Sequence, residues 1–384
     1  MKKVLAMLMA ALMVAAMFTG CSSSKSATET TAAAAAATAG TVKIGMSGPL
    51  TGGASAYGLA VKAGMEVAVE EINAKGGLQI EFNAQDDEAD GEKAVSAYNV
   101  LKDWGMQVMA GQVTTGSALA VAPESTADNM FNLTPSASAE SLALSGANIF
   151  QMCFTDPNQG SASAQYIADK GLATKVAVIW KNDDVCSKGI YETFKAACDT
   201  LGIEIVSDTT FADGNDTDFS VQIADAQSKG AELVFLPVYS QPASLTPAQA
   251  AAAGYEPEWF GVDGMDGILT MKNFDTSLAE GVMLLTPFSA NSEDAATQSF
   301  VKTYTEKYGV EPNQFAADAY DAVYIVKAAL EKAGCTGDMT APEICDAIVG
   351  VMTSLSVDGL TGKAMTWNAE GEVSKAPLAA VIEN

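Results

Sequence analysis

The sequence predicts an α/β protein of two lobes, each a doubly wound parallel sheet with helices on both faces. From Val42 onward, the apolar pattern switches repeatedly between the period of strands and the period of helices. Such alternation is typical of parallel strands joined by helical crossovers. About 340 residues follow the N-terminal segment, which is too long for one average core and suits two lobes.

The first lobe begins with a short strand at 42–46 and a helix at 58–75. In that helix, Val61, Met65 and Ile72 share one face, and the pair Gly76-Gly77 ends it. The elements predicted next are a strand at 78–82, a helix around 94–101, a strand at 108–111, a helix at 117–128 and a strand at 130–134.

The second lobe repeats this pattern after a loop predicted at 155–160. Its strands are expected near 176–180, 203–207, 232–237 and 259–262, with helical stretches between them. Because the alternation of strands and helices begins again after this loop, we predict the boundary between the two lobes there.

The first twenty residues predict an export signal. Lys2 and Lys3 precede an apolar run at 4–18, which is shorter than the roughly 20 residues that span a bilayer. Small residues leading into Cys21 resemble the cleavage box of bacterial lipoproteins, in which this cysteine becomes the acylated first residue. The alternative is an ordinary secretory signal and an incidental cysteine. Residues 21–40, rich in Ser, Thr and Ala, predict a flexible tether.

Composition argues against several classes of function. The chain has no histidine, which excludes Ser-His-Asp and Cys-His nucleophile pairs and histidine-ligated zinc. A formal net charge of −26 makes nucleic-acid binding improbable. No phosphate-binding glycine motif opens a helix. We therefore expect no catalytic residues, no metal and no cofactor.

The loops that follow the predicted strands indicate where a ligand binds, because open α/β sheets bind ligands at the carboxyl ends of their strands. In the first lobe these loops are rich in hydroxyl groups and glycine, which suits a carboxylate near helix N-termini. In the second lobe they carry acids and Tyr239, which suit an ammonium group and an apolar body. The composite site fits a zwitterionic amino acid. The loops are 47–57, 112–117 and 135–138 in the first lobe, and 181–189, 238–241 and 263–267 in the second.

Nearly the whole chain after the tether resembles the bacterial solute-binding proteins for leucine, isoleucine and valine. The resemblance is carried, in order, by VKIGMSGPLTGGASAYG, AVEEINAKGGLQIEF, DDEAD, AGQVTTGSALAVAP, NLTPSAS, FTDPNQG, VAVIWKNDD, DFSVQIADAQSKGAELVFLPVY, WFGVDGMDG and FAADAYDAVYIVKAAL. It implies a periplasmic-binding-protein type I clamshell whose lobes are joined by a three-crossing hinge. Residues 41–155 plus 287–357 then form lobe 1, and 156–286 plus 358–384 form lobe 2.

The resemblance also implies the ligand-binding residues. In lobe 1 they are Tyr57 as an aromatic cover, Thr115 as the carboxylate-binding hydroxyl with Val113 and Thr114 beside it, and Ala137 and Ser138 as further groups for the charged end. In lobe 2 they are Tyr239 as an aromatic contact and Asp263 as the acid for the α-ammonium. At a position where many members carry a tyrosine, this chain has either Val185 or Cys186. The resemblance therefore does not establish a preference for branched aliphatic ligands.

Each of these positions also has a structural alternative. Thr115 and Ser138 are suited to capping the helices that follow them. Asp263 forms a good turn pair with the next glycine. Tyr57 lies in a glycine-rich loop, and Tyr239 follows a buried strand, so surface and core roles stay open for them. Phe288 and Phe315 are expected to pack the hinge and the core rather than a ligand.

The family implies a role in transport. We expect a monomer, anchored by lipid on the outer side of the cell membrane, that passes an amino acid to a permease driven by ATPases. A binding protein for a short amide or urea, or a sensory module for a membrane receptor, are the alternatives, and an enzyme is the weakest. Cys335 and Cys345 flank a predicted turn, where an exported chain can form a disulfide.

Overall fold

The computed structural model describes residues 40–271, 273–375 and 377–383, which belong to one structural unit of the chain. The predicted signal at 1–20, Cys21 and the tether up to residue 39 lie outside these residues. Within the described ranges, no helix has both the length and the apolar character that a membrane crossing requires.

The first lobe is built on a sheet of five parallel strands. They are β1 (Thr41–Gly48), β2 (Gln79–Asp86), β3 (Val108–Met109), β4 (Asn132–Thr134) and β5 (Ile149–Gln151). Their order is β2-β1-β3-β4-β5. The helices between them are α1 (Ser55–Lys75), α2 (Gly91–Trp104), α3 (Thr115–Ala127) and α4 (Glu140–Ala143).

The second lobe has a six-stranded sheet, parallel except for its last strand. Its strands are β6 (Lys175–Lys181), β7 (Glu204–Phe211), β8 (Leu233–Leu236), β9 (Glu258–Gly261), β10 (Met283–Thr286) and β11 (Leu378–Val381). Their order is β11-β10-β9-β8-β6-β7, with β11 antiparallel to β10. The helices are α5 (Asp156–Lys170), α6 (Val185–Leu201), α7 (Ser220–Ser228) and α8 (Ser240–Ala252), with 3-10 turns at Asp263–Met265, Ile268–Thr270 and Thr276–Ala279.

After β10 the chain returns to the first lobe and forms three more helices, α9 (Ala295–Tyr308), α10 (Gln314–Ala333) and α11 (Ala341–Met352). Helix α10 lies against α1, and the two backbones approach closely at Gly64. A Cβ atom on Gly64 would lie 2.0 Å from the carbonyl oxygen of Ala316, so only glycine fits there. The buried residues of α10 and α11 join those of β1 and α1 in one hydrophobic core.

The predicted division of the chain between the lobes needs an adjustment near its end. Met365, Trp367 and Val373 were assigned to lobe 2, but they are buried in the core of the first lobe. The indole N–H of Trp367 also donates to the carbonyl oxygen of Gln151 at 2.9 Å. We therefore propose that the third crossing lies between Lys375 and Leu378, where β11 begins.

The predicted loop at 155–160 is a helix N-terminus instead. Thr155 occupies the N-cap position of α5 without a side-chain capping bond, and Pro157 lies in the first turn, where an N–H would have no partner within the helix. Gly160 allows α5 to pack against α6, because a Cβ atom there would lie 2.3 Å from the carbonyl oxygen of Ile190. Proline and glycine therefore marked a helix start and a close contact between helices, not a loop.

The possible disulfide between Cys335 and Cys345 is not formed in this structure. All five cysteines among the described residues are free and buried. Both of these thiols lie in the core of the first lobe, where burial raises their pKa and favours the neutral form.

A buried ion pair joins α10 to Lys375, which lies at the start of the proposed third crossing. The side chains of Lys375 and Asp318 are only 1% and 4% exposed, and their charged groups are in contact. The Lys375 ammonium also donates to the carbonyl oxygen of Met152, which follows β5, at 3.1 Å. Burial raises the pKa of Asp318 to about 6, although Lys375 opposes the shift. The pair therefore fastens two crossings to α10.

Replacing Lys375 with methionine is expected to lower the free energy of unfolding by about 3–5 kcal/mol, because Asp318 would keep a buried charge without a partner. Urea denaturation measures the change. The control is Lys302→Met, which removes an exposed ion pair with Glu306 and should cost less than about 1 kcal/mol. Equal stability of the two variants would show that the buried pair adds nothing.

Candidate functional site

All of the residues predicted to bind a ligand except Ala137 meet in the cleft between the lobes. A cavity of about 20 Å³ lies there, enclosed by groups from both lobes. It is lined by Tyr57, Val113, Thr114, Thr115, Ser136, Ser138, Cys186, Tyr239, Asp263, Gly264 and Phe315. Such a volume accommodates about one water molecule. The two lobes are therefore in contact across the cleft.

A larger pocket of about 350 Å³ adjoins this inner cavity and leads outward. The two share Thr114, Cys186, Tyr239, Asp263 and Gly264 in their walls, so they form one continuous cleft. The outer walls carry acidic residues from both lobes and a single lysine: Glu88, Asp90, Asp184, Asp213, Asp216 and Lys181.

One wall of the inner cavity is the N-terminus of α3. Thr114 and Thr115 line the cavity at the point where β3 has ended and α3 begins. The side chain of Thr114 does not cap the helix but donates to the hydroxyl of Ser117 at 3.1 Å. Thr115 accepts a hydrogen bond from the N–H of Ser138 at 3.3 Å. Because the first N–H groups of a helix have no partner within it, this wall favours negative charge.

Ala137 is the predicted site residue that does not line the cavity. Its N–H donates to Thr134 at 2.9 Å, and its carbonyl oxygen accepts from the side chain of Gln151 at 2.8 Å. The expectation that Ala137 offers these groups to a ligand is therefore not supported, because both are already used within the lobe.

Asp263 forms the opposite wall. It is 7% exposed, and its carboxyl accepts from the N–H of Gly264 at 2.6 Å. Its own N–H donates to the side chain of Gln159 at 3.1 Å. Burial raises the pKa of Asp263 to about 7, and the nearby charges of Asp318 and Asp266 add to the shift. A buried carboxyl of this kind is favourable for a cation.

A second buried acid, Asp156, lies behind this wall and was missed from the sequence. It begins α5 and is 2% exposed, and Ser138 and Cys186 lie beside its carboxyl. One carboxyl oxygen, Oδ1, has no hydrogen-bond partner. Burial raises the pKa of Asp156 to about 8, and the charge of Asp263 contributes. The sequence signal for Asp156 is an acid in the first turn of a helix, but the pattern at 155–160 predicts a loop and so does not reveal it.

Three aromatic rings surround the inner cavity. The ring of Tyr57 lies 4.8 Å from that of Phe315 and 5.4 Å from that of Tyr239, measured between centroids. Phe315, expected only in the core, contributes to both the core and the cavity. Phe288 is buried in the core as expected.

Of the two residues that the sequence left as candidates, Cys186 and not Val185 faces the cleft. Cys186 is 7% exposed and lines both the inner cavity and the outer pocket, whereas Val185 is 47% exposed. The thiol of Cys186 lies 3.5 Å from the hydroxyl of Ser138 in the other lobe. A short side chain therefore stands between the cavity and the outer pocket.

The family comparison covers most of the chain. Residues 41–381 match the model of the periplasmic binding protein family. The Leu/Ile/Val-binding protein homolog 3 of Brucella melitensis is 32% identical over 301 residues, covering 77% of this chain and 80% of that protein. The leucine-, isoleucine-, valine-, threonine- and alanine-binding protein of Pseudomonas aeruginosa is 27% identical, with 77% and 79% covered.

Solved structures share the fold. A branched-chain amino acid transporter substrate binding protein from Streptococcus pneumoniae, solved with isoleucine, has a TM-score of 0.81 at 28% identity, covering 89% of this chain and 96% of that one. A solute binding protein from R. palustris, solved with benzoate, has a TM-score of 0.80 at 22% identity, with 90% and 94% covered. At that identity the second likeness establishes the fold alone.

In the absence of solute, raising the pH is expected to open the lobes. Asp156 and Asp263 are buried in this closed form, and burial raises their pKa values from 3.8 to about 8 and about 7. The closed form therefore binds more protons than an open form with ordinary pKa values. Closure is favoured at low pH. As the pH rises from the ordinary to the raised pKa of each carboxyl, that carboxyl lowers the free energy favouring closure by about 1.4 kcal/mol for each pH unit.

Small-angle X-ray scattering should accordingly give a larger radius of gyration at pH 9 than at pH 5.5. The variant Asp156→Asn/Asp263→Asn should stay compact at both values, because neither amide ionises. Asp225→Asn, which alters an exposed ion pair with Lys229, should behave like the unaltered protein. A radius independent of pH in the unaltered protein would contradict the expectation.

Proposed function

Since this chain belongs to the periplasmic binding protein family, we propose that it captures an amino acid with an apolar side chain outside the cytoplasm and delivers it to an ATP-driven importer. Its relatives are solute-binding proteins rather than enzymes, and so is this chain. One observation carries the choice of ligand: the same cavity is lined by a helix N-terminus with hydroxyl groups and by Asp263, a buried acid that has no ion-pair partner among the described residues.

The ligand carboxylate is assigned to the wall formed by α3. Thr115 and Ser138 supply hydroxyl groups, and the N-terminus of α3 supplies N–H groups and the positive end of its dipole. No lysine lines the inner cavity among the described residues, so these dipoles are the groups available to an anion.

The ligand ammonium is assigned to Asp263, with Asp156 behind it. Keeping two carboxyl groups buried without a cation is costly, and here their raised pKa values express that cost. An ammonium group at Asp263 would lower the pKa of Asp263, and its charge would act in the same direction on Asp156 behind it. A ligand that has a carboxylate but no ammonium gains nothing at this wall and is repelled by it.

The ligand side chain is assigned to the rings of Tyr57, Tyr239 and Phe315 together with Val113. These groups offer an apolar, aromatic surface, which favours a branched aliphatic or similar side chain over a charged one. The Leu/Ile/Val-binding names of the relatives and the isoleucine in the S. pneumoniae structure agree with this choice. Cys186 leaves more room than an aromatic would, so the side chain can extend toward the outer pocket.

Capture follows from a shift between open and closed forms. An amino acid touches both lobes only when they close, so it stabilises the closed form by its differential affinity. The inner cavity has room for about one water molecule, so entry of an amino acid is proposed to require the lobes to separate. The importer is proposed to recognise the closed shape of a monomer.

Binding is predicted to depend strongly on Asp263. Titration with each of the twenty amino acids, followed by calorimetry or by the fluorescence of the four tryptophans, should identify apolar amino acids as ligands. Asp263→Asn should weaken the binding of the best of them by about a hundredfold, because the ammonium loses its charged partner.

The matched control is Asp275→Asn, which alters an exposed carboxyl in the same lobe and should leave affinity unchanged. Unaltered affinity of Asp263→Asn would remove the ammonium assignment and favour the alternative of a short amide or urea. A receptor-coupled sensor with the same ligand would be recognised by normal amino-acid uptake in cells that lack this protein.

The lipid anchor is proposed at Cys21, with residues 22–40 as the tether to the importer. Expression with its own signal in a bacterial host should place the protein in the membrane fraction and incorporate radiolabelled fatty acid. Cys21→Ala should abolish the label and release the protein, whereas Cys153→Ala, at a buried cysteine, should keep both. Label on the Cys21→Ala variant would exclude this anchor.

A further inference from the structure

The hydroxyl group of Tyr57 joins the two lobes directly. Tyr57 is on α1 in the first lobe and is 2% exposed. Its hydroxyl donates to the carbonyl oxygen of Gly264 at 2.5 Å and accepts from the N–H of Ser240 at 2.5 Å. Both partners belong to the backbone of the second lobe. The single hydrogen of the hydroxyl group is therefore donated across the contact between the lobes.

Gln314 makes a second pair of contacts with the same lobe. It is the first residue of α10, whose buried face lies in the core of the first lobe. Its side-chain amide donates to the carbonyl oxygen of Asp263 at 3.0 Å, and its backbone N–H donates to the carboxyl of Asp266 at 2.9 Å. Residues 263, 264 and 266 are thus all held from the first lobe, by Gln314 and Tyr57.

The backbone around Gly264 is built for this contact. A Cβ atom on Gly264 would lie 2.8 Å from the carbonyl oxygen of Val238, so the segment packs against the end of β8 with no room for a side chain. Ser240 is the first residue of α8, and its N–H therefore has no partner within the helix. The Tyr57 hydroxyl satisfies it only while the lobes are in contact.

We propose that Tyr57 and Gln314 form a closure clasp, which sets the free energy of lobe closure and thereby tunes the affinity for every ligand by one common factor. The proposal rests on the proposed function, because it deepens how the same site holds its ligand. All four hydrogen bonds join protein groups, and three of them use backbone carbonyl or N–H groups of the second lobe. None depends on the ligand side chain.

The clasp differs from a ligand contact in its consequence. Measured affinity combines the energy of the ligand contacts with the energy of closing the lobes. A residue that touches ligand changes affinity by a factor that depends on the ligand. A residue that only holds the lobes together changes it by the same factor for all ligands that are bound in the closed form.

Two substitutions test the hydrogen bonds of Tyr57, one by removing its hydroxyl group and one by removing the N–H group that donates to it. Tyr57→Phe deletes the hydroxyl and keeps the ring that packs on Phe315 and Tyr239. Ser240→Pro deletes the N–H donor at the first position of α8, where proline is tolerated. The preceding residue, Tyr239, has ψ 165°, an extended conformation compatible with a following proline.

Tyr57→Phe should weaken the binding of L-leucine, L-isoleucine and L-valine, and of any other amino acid that binds, by the same factor of about ten. Ser240→Pro should have a smaller effect in the same direction. The double variant should be no weaker than Tyr57→Phe alone, because both changes remove the same hydrogen bond. Calorimetry supplies the affinities.

Small-angle X-ray scattering of the protein without amino acid provides an independent readout. At pH 5.5, Tyr57→Phe should have a larger radius of gyration than the unaltered protein. The control is Tyr255→Phe, which loses a hydrogen bond to the carbonyl oxygen of Ala231 within the second lobe and should change neither radius nor affinity.

Three results would overturn the clasp: wild-type affinity in Tyr57→Phe, factors that differ between ligands, or an unchanged radius without ligand. Failure of the proposed function looks different. If none of the twenty amino acids binds the unaltered protein, the ligand assignment is wrong, whereas the scattering comparison of Tyr57→Phe with Tyr255→Phe still decides whether the clasp exists.

Discussion

The need to give every buried carboxylate a partner governs this structure. At the hinge, the partner is permanent, because Lys375 lies against Asp318 and holds two of the crossings together. In the cleft, Asp156 and Asp263 are buried just as deeply, but neither has an ion pair among the described residues. A proton is the partner that the protein itself supplies there, and the proposed ligand replaces it with an ammonium group. The energetic cost of burying a carboxylate is thus offset by a lysine of the chain at the hinge and by the proposed ligand in the cleft.

The fold supplies the geometry for this arrangement. In both sheets the strand order reverses next to the first strand of the lobe, and the helices that follow the strands start at the cleft. Helices α3, α5, α6 and α8 begin at or beside the cavity with Thr115, Asp156, Val185 and Ser240. Their N-termini leave N–H groups that need acceptors. Ser240 finds one in the hydroxyl of Tyr57, and α3 is left to bind a carboxylate. Lobe closure and ligand binding therefore both depend on N–H groups at helix N-termini that have no partner within their helix.

Much of this organisation follows from local patterns. Alternating apolar periods predicted β1, β2, β6 and the helices between the early strands, because each of those elements has one face that must be buried. Strands β5, β10 and β11 were not identified. They are as short as β4, β8 and β9, which the sequence did predict, and pairing with a neighbouring strand is what identifies them as strands. The sequence predicts a loop at the first turn of α5, because proline and glycine are common both in loops and at helix starts.

By itself, the sequence determined the two-lobed α/β fold, the family, the absence of histidine chemistry and the group of loops that holds most of the cavity residues. These features depend on residues close together in the chain or on a family resemblance. Only the tertiary structure brought Asp156 next to Asp263, placed Phe315 in both the core and the cavity, and committed the backbone of Ala137 to its own lobe. It also placed Tyr57 on Gly264 and Ser240. Burial and hydrogen bonding between distant segments decide these roles, because the same residue types are equally suited to caps, turns or surface positions until another lobe lies against them.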